Sequence, residues 1–411
     1  MSSLSDRLKS LGVKVGAQDL PAPQPRRGPG IEAVVPGRVH QTSNGETYII
    51  DSNYPPDYRY GNLGLSFSAS LATLAEWVVK GNRELHERLC QCSPQAFAFL
   101  DIETTGLQGG TGTYAFLVGV GRLEEGGFHL AQFFLRDPIE EQAQLLALEE
   151  FLGPCQALVT YNGKAFDVPL LNTRYLIQGW KTPLPGLMHV DLLPVARKLW
   201  RERLPSRTLG NIETFILGAR RTQEDVPGWM IPQMYFDYLR TGDAHFLEGI
   251  FYHNAMDVLA MAALLNHVTF ALEDPTRAAL EKGEDLIGMA KMYEDMGRMD
   301  EAVALYQQSL EHELPGELYW NTVERLSFIK KRMGDYPGAI ALWQQAAGQK
   351  QIYACVELAK YYEHQMRDYT ESARWTQAAL DIIHAPGYPR YARQEWNADL
   401  LHRLDRLKKK M

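Results

Sequence analysis

Two carboxylates stand two positions apart at the end of an apolar run, Asp101 and Glu103 in FAFLDIETTG (97–106). Alternate residues of a β-strand project to the same side, so a strand here would direct both carboxylates into one place. Two buried anions repel each other and lose hydration, and a cation bound between them offsets both costs. The pair therefore predicts a cation-binding site. The plain alternative is an exposed strand end followed by a turn.

Two more acidic residues lie in apolar surroundings further along the chain. Asp167 stands near the start of a predicted helix, where the helix dipole favours a carboxylate with or without chemistry. Asp257 interrupts the apolar helix predicted for 249–265, and His253 lies one turn earlier on the same face. A buried Asp needs a partner, so a purely structural His–Asp pair is the alternative to a catalytic one.

Together these residues form a set of oxygen ligands of the kind that suits Mg²⁺ or Mn²⁺ rather than zinc. Asp101, Glu103, Asp167 and Asp257 are enough to hold two divalent ions about 4 Å apart, the arrangement used for in-line attack on phosphodiesters. One ion would activate the attacking water, and the other would stabilise the leaving oxygen. His253 is the candidate proton acceptor, because histidine exchanges protons near neutral pH.

The elements that would position these side chains follow the order of a mixed sheet with helices on its faces. Apolar and alternating runs predict strands at 97–100, 115–123, 127–135 and 157–161, and a hairpin at 39–50 that turns at Asn44-Gly45. Apolar spacing and start signals predict helices at 71–90, 137–151, 166–176, 189–200, from 206 onward, and 249–265. The fold class is therefore α/β.

A glycine-rich segment, QGGTGTY (108–114), follows the acidic strand. It lacks the Lys-Ser/Thr of a P-loop, which argues against nucleoside triphosphate binding. A tight turn that lets the backbone approach a substrate is the favoured interpretation.

Basic residues concentrate between 197 and 221. A solvated helical face and a phosphate track beside an active site explain them equally well. The residues are Arg197, Lys198, Arg201, Arg203, Arg207, Arg220 and Arg221.

The part of the chain from 285 onward repeats itself with a period of about 34–37 residues, typical of tetratricopeptide repeats. Such helix–turn–helix units stack into a concave surface that could bind a protein partner or nucleic acid, or buttress the first domain. The positions predicted to be equivalent are the turn glycines Gly297 and Gly334, the small residues Ala302, Ala339 and Ala373, and the aromatic residues Tyr306, Trp343 and Trp375.

Composition is that of a globular protein with room for two or more domains: 411 residues, 45% hydrophobic and 22% charged. The net charge of −8 restricts any nucleic-acid surface to a local patch. The four cysteines lack the second C-x-C or histidine cluster of a zinc site and do not suggest a disulfide framework. The domains are predicted at 39–272 and 283–411, after a flexible segment at 1–38 that is rich in Pro, Gly and Arg.

The amino terminus lacks the apolar core of a signal peptide, and no apolar run approaches transmembrane length. These features predict a cytoplasmic protein with reduced cysteines.

Three segments in order, DIETTG, YNGKAFD and YHNAMD, resemble the three motifs of the DEDD exonuclease superfamily, which has a ribonuclease H-like (DnaQ-like) fold. GGTGTYAFLVGVG directly after DIETTGL is similar, more narrowly, to YprB-type ribonuclease H-like proteins. The resemblance covers about residues 40–270. It implies that Asp101, Glu103, Asp167 and Asp257 ligate metal, and that the protein removes nucleotides hydrolytically in the 3′-to-5′ direction.

The resemblance also implies DNA as the substrate, a role in DNA repair and a separately encoded helicase as partner. The same site in an RNA-processing exonuclease is one alternative, since only contact with a 2′-hydroxyl would distinguish them. A catalytically inert scaffold that binds a protein through the repeats is another.

The chain departs from the superfamily pattern at the general base. The base lies five residues before the last Asp in the histidine subclass and four residues before it in the tyrosine subclass. Here Tyr252 has the five-residue spacing and His253 the four-residue spacing. Residues four apart share a helix face better than residues five apart, so His253 is the predicted base and Tyr252 the alternative.

Overall fold

The computed structural model describes residues 28–106, 112–222, 224–275 and 282–411. Residues 1–27 of the flexible segment predicted at 1–38, and most of the glycine-rich loop, lie outside the described residues. The strands are β1 (Arg38–Thr42), β2 (Gly45–Tyr54), β3 (Arg59–Tyr60), β4 (Leu63–Gly64), β5 (Phe97–Thr104), β6 (Ala115–Glu124), β7 (Gly127–Phe134), β8 (Ala157–Thr160) and β9 (Met188–Asp191). Seven of them form one mixed sheet in the order β1-β2-β7-β6-β5-β8-β9, and β3 pairs with β4 alone.

Helices cover both faces of the large sheet. In the first two thirds of the chain they are α1 (Ile31–Val34), α2 (Ala72–Val79), α3 (Arg83–Gln91), α4 (Glu141–Leu152), α5 (Asp167–Ile177), α6 (Leu192–Leu199), α7 (Leu209–Ile212), α8 (Ile231–Thr241) and α9 (Glu248–Glu273). This architecture confirms the predicted α/β fold class.

The strand β5 lies at the centre of the fold because its apolar residues serve two cores. Phe97 and Phe99 pack with α6 and α9 on one face, whereas Ala98 and Leu100 pack with α4 and α5 on the other. All four side chains are fully buried. β5 pairs antiparallel with β6 and parallel with β8, and β8 pairs parallel with β9. The carboxyl ends of β5, β8 and β9 therefore meet at one edge of the sheet.

Two glycines of β6 let α9 lie directly across the sheet. A Cβ atom at Gly119 would lie 2.1 Å from Oδ1 of Asn254, and one at Gly121 would lie 2.2 Å from Phe128 and 2.8 Å from Val258. Close packing of α9 on β6 thus explains the V-G-V-G pattern at 118–121.

The helix α9 is long and apolar enough, by length and composition alone, to cross a membrane. The expectation that no apolar run reaches that length was therefore wrong. The side chains of this helix lie in the cores on the sheet instead, and 72% of its most apolar window is buried inside the protein. This burial is typical of a core helix, and such a helix is weak evidence for a membrane span.

Three local predictions differ from the structure. The segment from His189 to Asp191 is the strand β9, and the helix begins after it, because Asp191 caps the N–H of Leu193. The helix predicted at 71–90 breaks into α2 and α3 at Lys80 and Gly81, both in left-handed backbone conformation. The hairpin turn consists of Ser43 and Asn44, since Thr42 pairs with Gly45.

The carboxy-terminal part is all helical, as predicted. Its helices are α10 (Gly283–Asp295), α11 (Met299–Ser309), α12 (Gly316–Arg332), α13 (Tyr336–Gly348), α14 (Ile352–Tyr361), α15 (Tyr369–His384) and α16 (Arg390–Lys408). Consecutive helices pack as antiparallel pairs in helix–turn–helix units.

The third repeat is offset by one residue from the predicted alignment. The left-handed turn residue there is Arg367, which corresponds to Gly297 and Gly334. Counted from the starts of α11, α13 and α15, the buried small residue of the third repeat is Ser372 rather than Ala373, and the buried packing residue is Thr376 rather than Trp375. The predicted alignment of the third repeat was wrong because Thr376, a small residue, occupies the position that Tyr306 and Trp343 occupy in the first two repeats.

The repeats pack directly on the α/β part through α6 and α10. A Cβ atom at Gly288 would lie 1.9 Å from the carbonyl oxygen of Leu199, so the two helices approach at backbone distance. Ion pairs surround this contact, between Lys198 and Asp295 (2.6 Å), Arg203 and Asp285 (2.5 Å), and Lys291 and Glu202 (2.7 Å).

Candidate active site

Three elements bring the four predicted carboxylates together at the carboxyl edge of the sheet. Asp101 and Glu103 lie on the last part of β5, and Asp167 opens α5 after the loop that follows β8. Asp257 comes from α9, which packs against β5 and β6. All four side chains are largely buried, and Glu103, Asp167 and Asp257 line two clefts that open to solvent.

The carboxylates suppress one another's ionisation. Burial raises the pKa of Asp101 well above its usual range, and the charges of Asp257, Glu103 and Asp167 raise it further. Burial, Asp257 and Asp167 likewise raise the pKa of Glu103, and burial with Asp191 and Asp257 raises the pKa of Asp167 to about 7. Such a cluster becomes fully ionised when positive charge enters it.

The side chain of Asn254 holds Asp101 in place. Its amide nitrogen donates to Oδ2 of Asp101 at 2.9 Å and to the backbone carbonyl of Asp101 at 3.2 Å. Gln132 on β7 donates to Oδ1 of Asn254 at 2.9 Å, which fixes the orientation of the amide. Gly119 lies opposite Asp101 in the sheet and leaves the space that Asn254 occupies.

A buried guanidinium group enters the acidic cluster from the other side. Arg221 donates to both carboxylate oxygens of Glu213 at 3.0 Å, and it also donates to Oδ1 of Asp257. Tyr60 donates to Glu213 as well. Burial raises the pKa of Glu213 despite the nearby Arg221. Arg221 is therefore the internal cation that balances Asp257.

His253 faces the carboxylates with one ring nitrogen and an acid with the other. Nδ1 lies 2.8 Å from Oδ1 of Asp225, while Nε2 lies 3.6 Å from Asp257 and 4.0 Å from Glu103. Nη1 of Arg221 lies 3.2 Å from the same Nδ1, so Asp225 is its closer partner. With the proton on Nδ1 directed to Asp225, Nε2 is an acceptor directed into the site. The hydroxyl of Tyr252 accepts a bond from the backbone N–H of Thr222 at 3.0 Å.

The loop before Asp167 is tied to β9. Asp191 accepts hydrogen bonds from the backbone N–H groups of Asn162 (2.8 Å) and Lys164 (3.2 Å). Asn162 has a left-handed φ of 70°, which asparagine tolerates, and a Cβ atom at Gly163 would lie 2.5 Å from Thr160. These requirements explain the Asn-Gly pair of the second motif.

Two clefts that share Gly228 lead to the carboxylates. One of about 440 Å³ reaches Glu103 and Asp167, and one of about 490 Å³ reaches Asp257, His253 and Arg221. Phe166 in the first cleft and Trp229 beside it are 59% and 80% exposed, so aromatic faces are available to a ligand.

The donor set fits a divalent cation, although the side chains as they stand do not enclose one. Within the described ranges, no three His, Cys, Asp or Glu side chains are arranged to hold a metal ion. Arg221 occupies one oxygen of Asp257 and Asn254 one oxygen of Asp101, and the remaining oxygens are hard ligands in mutual repulsion. Oxygen donors of this kind suit Mg²⁺ or Mn²⁺.

Comparison with known proteins places these features in a family. The family model described as "RNase_H superfamily" matches residues 98–269 of this chain, and the family model described as "Tetratricopeptide repeat" matches residues 286–317. Over 343 residues the chain is 33% identical to "Uncharacterized protein YprB" of Bacillus subtilis (strain 168), a match that covers 81% of this chain and 80% of that protein. The chain belongs to the YprB family. The resemblance to YprB-type ribonuclease H-like proteins is thereby confirmed.

Membership in the YprB family and the ribonuclease H superfamily gives this chain a nuclease-type hydrolase domain, of a class that generally uses divalent metal ions. Among solved structures, the family B DNA polymerase from the hyperthermophilic archaeon Pyrobaculum calidifontis aligns with a TM-score of 0.33 and 18% identity. The alignment covers 49% of this chain and 29% of the polymerase chain.

Four polar residues of the site were not predicted from the sequence: Asn254, Asp225, Glu213 and Arg221 as a partner of Asp257. Asn254 lies in the third motif, YHNAMD, between His253 and Asp257. A polar amide at that position of an apolar helix is the signal that could have identified it. Arg221 was visible only as one of several basic residues, and neither Asp225 nor Glu213 had any sequence signal.

The other members of the basic group have different environments. Lys198 and Arg203 pair with acids of the repeats, and Arg207 donates to the carbonyls of Leu204 and Pro205. Arg197, Arg201 and Arg220 are exposed. The group is therefore neither one solvated face nor one continuous track.

Proposed function

We propose that this protein is a metal-dependent 3′-to-5′ exonuclease that hydrolyses DNA and acts in DNA repair. The supporting observation is the cluster of Asp101, Glu103, Asp167 and Asp257 beside a ring nitrogen of His253. Burial and the charges of neighbouring carboxylates raise the pKa of Asp101, Glu103 and Asp167. Hydrolysis of phosphodiesters is the chemistry for which such a carboxylate set is suited in a ribonuclease H-like domain.

In this proposal the four carboxylates hold two divalent cations, Mg²⁺ or Mn²⁺. Bound cations of this kind supply Lewis acidity and lower the pKa of a coordinated water. His253 accepts the proton of the attacking water at Nε2, and Asp225 keeps the ring in the required tautomer through Nδ1. Asn254 orients Asp101 by occupying one of its oxygens.

If Asp257 held a cation instead of Arg221, the guanidinium group would still donate to both oxygens of Glu213 and keep that buried ion pair. It would then supply a positive charge beside the carboxylates that would hold the metal. Arg221 is therefore a positioning residue with an electrostatic contribution.

The direction of hydrolysis, the preference for DNA and the role in repair rest on the family resemblance. An RNA-processing exonuclease with the same site is the second candidate, and it differs in reading the 2′-hydroxyl. A catalytically inert scaffold is disfavoured because all four acidic positions are filled. A helicase partner, and a protein partner for the repeats, belong to the same proposal, and the cytoplasmic location stays a prediction.

The deciding experiment uses purified protein with Mg²⁺ or Mn²⁺ and matched DNA and RNA strands labelled at the 5′ end. A ladder of shortened products on DNA, lost with EDTA and in Asp101→Asn, supports the proposal. A ladder on RNA alone keeps the site and overturns the substrate. Absence of cleavage with both metals, on single- and double-stranded forms, overturns the activity.

A further inference from the structure

A cavity with a strongly basic lining lies where the repeats meet the α/β part. Its volume is about 400 Å³, within the range of about 300–1,000 Å³ found for ligand pockets. Five of the seven residues that line it are Lys or Arg, and the others are Trp77 and Pro194. The five, which with these two define the junction cavity, are Arg197, Lys198, Arg201, Lys291 and Arg325.

Three of the five cations are balanced by acids. Lys198 pairs with Asp295 at 2.6 Å, Lys291 with Glu202 at 2.7 Å, and Arg325 with Glu294 at 2.7 Å. The first two pairs join α6 and the residue Glu202 after it to the repeats, and the third lies within the repeats.

The other two cations carry net positive charge toward solvent. Arg197 and Arg201 are exposed, and within the described part of the chain neither has an acidic group at ion-pair distance. An uncompensated positive patch on a protein with a net charge of −8 attracts anions locally.

We propose that the junction cavity binds the sugar–phosphate backbone of the nucleic-acid strand whose end occupies the active site. This inference rests on the proposed nuclease function and extends it, because it assigns the repeats a share of substrate binding. Arg197 and Arg201 bind successive phosphates of the strand, and the paired cations of the cavity add to the positive potential there.

The helix α6 connects the junction cavity to the active-site edge. It starts directly after Asp191, which holds the loop leading to Asp167. Arg197 lies five residues after the first residue of α6, about 8 Å further along the helix axis. The exposed Lys164 lies on the loop that Asp191 holds, so a further cation stands near the start of α6.

Continuity of the strand favours nucleic acid over an acidic peptide as the occupant. A strand whose end occupies the active-site clefts is delivered to Arg197 at high effective concentration, which makes even a weak phosphate contact productive. A free acidic peptide has no such tether at this cavity.

The test compares two double variants of the full-length chain, each in the Asp101→Asn background and in EDTA. Arg197→Gln with Arg201→Gln removes the unpaired cations of the cavity. Arg83→Gln with Arg240→Gln removes the same charge from exposed arginines that do not line it. Fluorescence anisotropy measures binding of labelled single strands of about 20 and about four nucleotides over a range of salt concentrations.

We expect the Arg197→Gln/Arg201→Gln variant to bind the long strand roughly tenfold more weakly than the control variant at about 0.1 M salt. The slope of log affinity against log salt concentration should fall in magnitude by about 1.4, as expected for the loss of two phosphate contacts. Binding of the short strand should be equal in both variants. The proposal is overturned if the two variants bind the long strand equally. It is also overturned if binding of a poly-glutamate peptide requires Arg197 and Arg201 while binding of DNA does not. If no form cleaves any strand, the nuclease function fails, and the same binding difference still decides the cavity.

Discussion

The side-chain amide of Asn254 donates a hydrogen bond of 2.9 Å to the carboxylate of Asp101, and thereby joins α9 to β5 at the candidate active site. The approach is possible because Gly119, opposite Asp101 on β6, has no side chain. One strand, one glycine and one helix thus set the position of a carboxylate that the sequence predicts as a metal ligand.

Gly119→Ala should weaken both the fold and the activity. The added methyl group would lie 2.1 Å from Oδ1 of Asn254, so the amide must move away from Asp101. Overpacking of this kind costs about 1–3 kcal/mol, which chemical unfolding would measure. Gly126→Ala is the matched control, since nothing lies within 4 Å of its added atom. Equal stability of the two variants would contradict this account of Gly119.

Asp101→Asn should abolish hydrolysis while raising the stability of the metal-free protein. The substitution removes one of several buried carboxylates that repel one another, so its loss relieves the folded state. We expect turnover to fall roughly 10³-fold or more, because metal ligation supplies several kcal/mol. Thermal unfolding with and without Mn²⁺ supplies the second readout. The wild type should gain stability on Mn²⁺ addition, and the variant should not.

His253→Ala should lower turnover by about 10²–10⁴-fold and leave binding of DNA intact, as expected for loss of a proton acceptor. Tyr252→Phe is the comparison, because the hydroxyl it removes accepts a bond from Thr222. Single-turnover cleavage and strand binding would be measured on both variants. A larger loss in Tyr252→Phe would assign the base to Tyr252.

Arg221→Gln should make the metal-free protein less stable and strengthen its response to Mn²⁺. The variant lacks the cation that balances Asp257 and Glu213, so an added divalent ion meets less competition for Asp257. Titration calorimetry and thermal unfolding would show a lower Mn²⁺ dissociation constant and a lower melting temperature without metal. The neighbouring, exposed Arg220→Gln should match the wild type in both measurements. An unchanged Mn²⁺ affinity in Arg221→Gln would rule out this competition.

Much of the fold followed from local pattern. The apolar run before Asp101, the strands on either side of Gly126 and the long helix that carries Asp257 are strong periodic signals, and each lies where it was expected. The segment from His189 to Asp191 was assigned to the wrong element because a short apolar run does not distinguish a buried strand from a helix start. In the structure this segment pairs with β8, so it is a strand.

The sequence by itself determined which carboxylates belong to the candidate site, because three separate motifs carry acids beside apolar residues that must be buried. Only the tertiary structure decided what surrounds those acids. Arg221, Glu213 and Asp225 come from a segment without regular spacing. The junction cavity combines residues from three distant parts of the chain, from Trp77 to Arg325. Such contacts depend on how helices pack across the sheet, and no local pattern of residues encodes that packing.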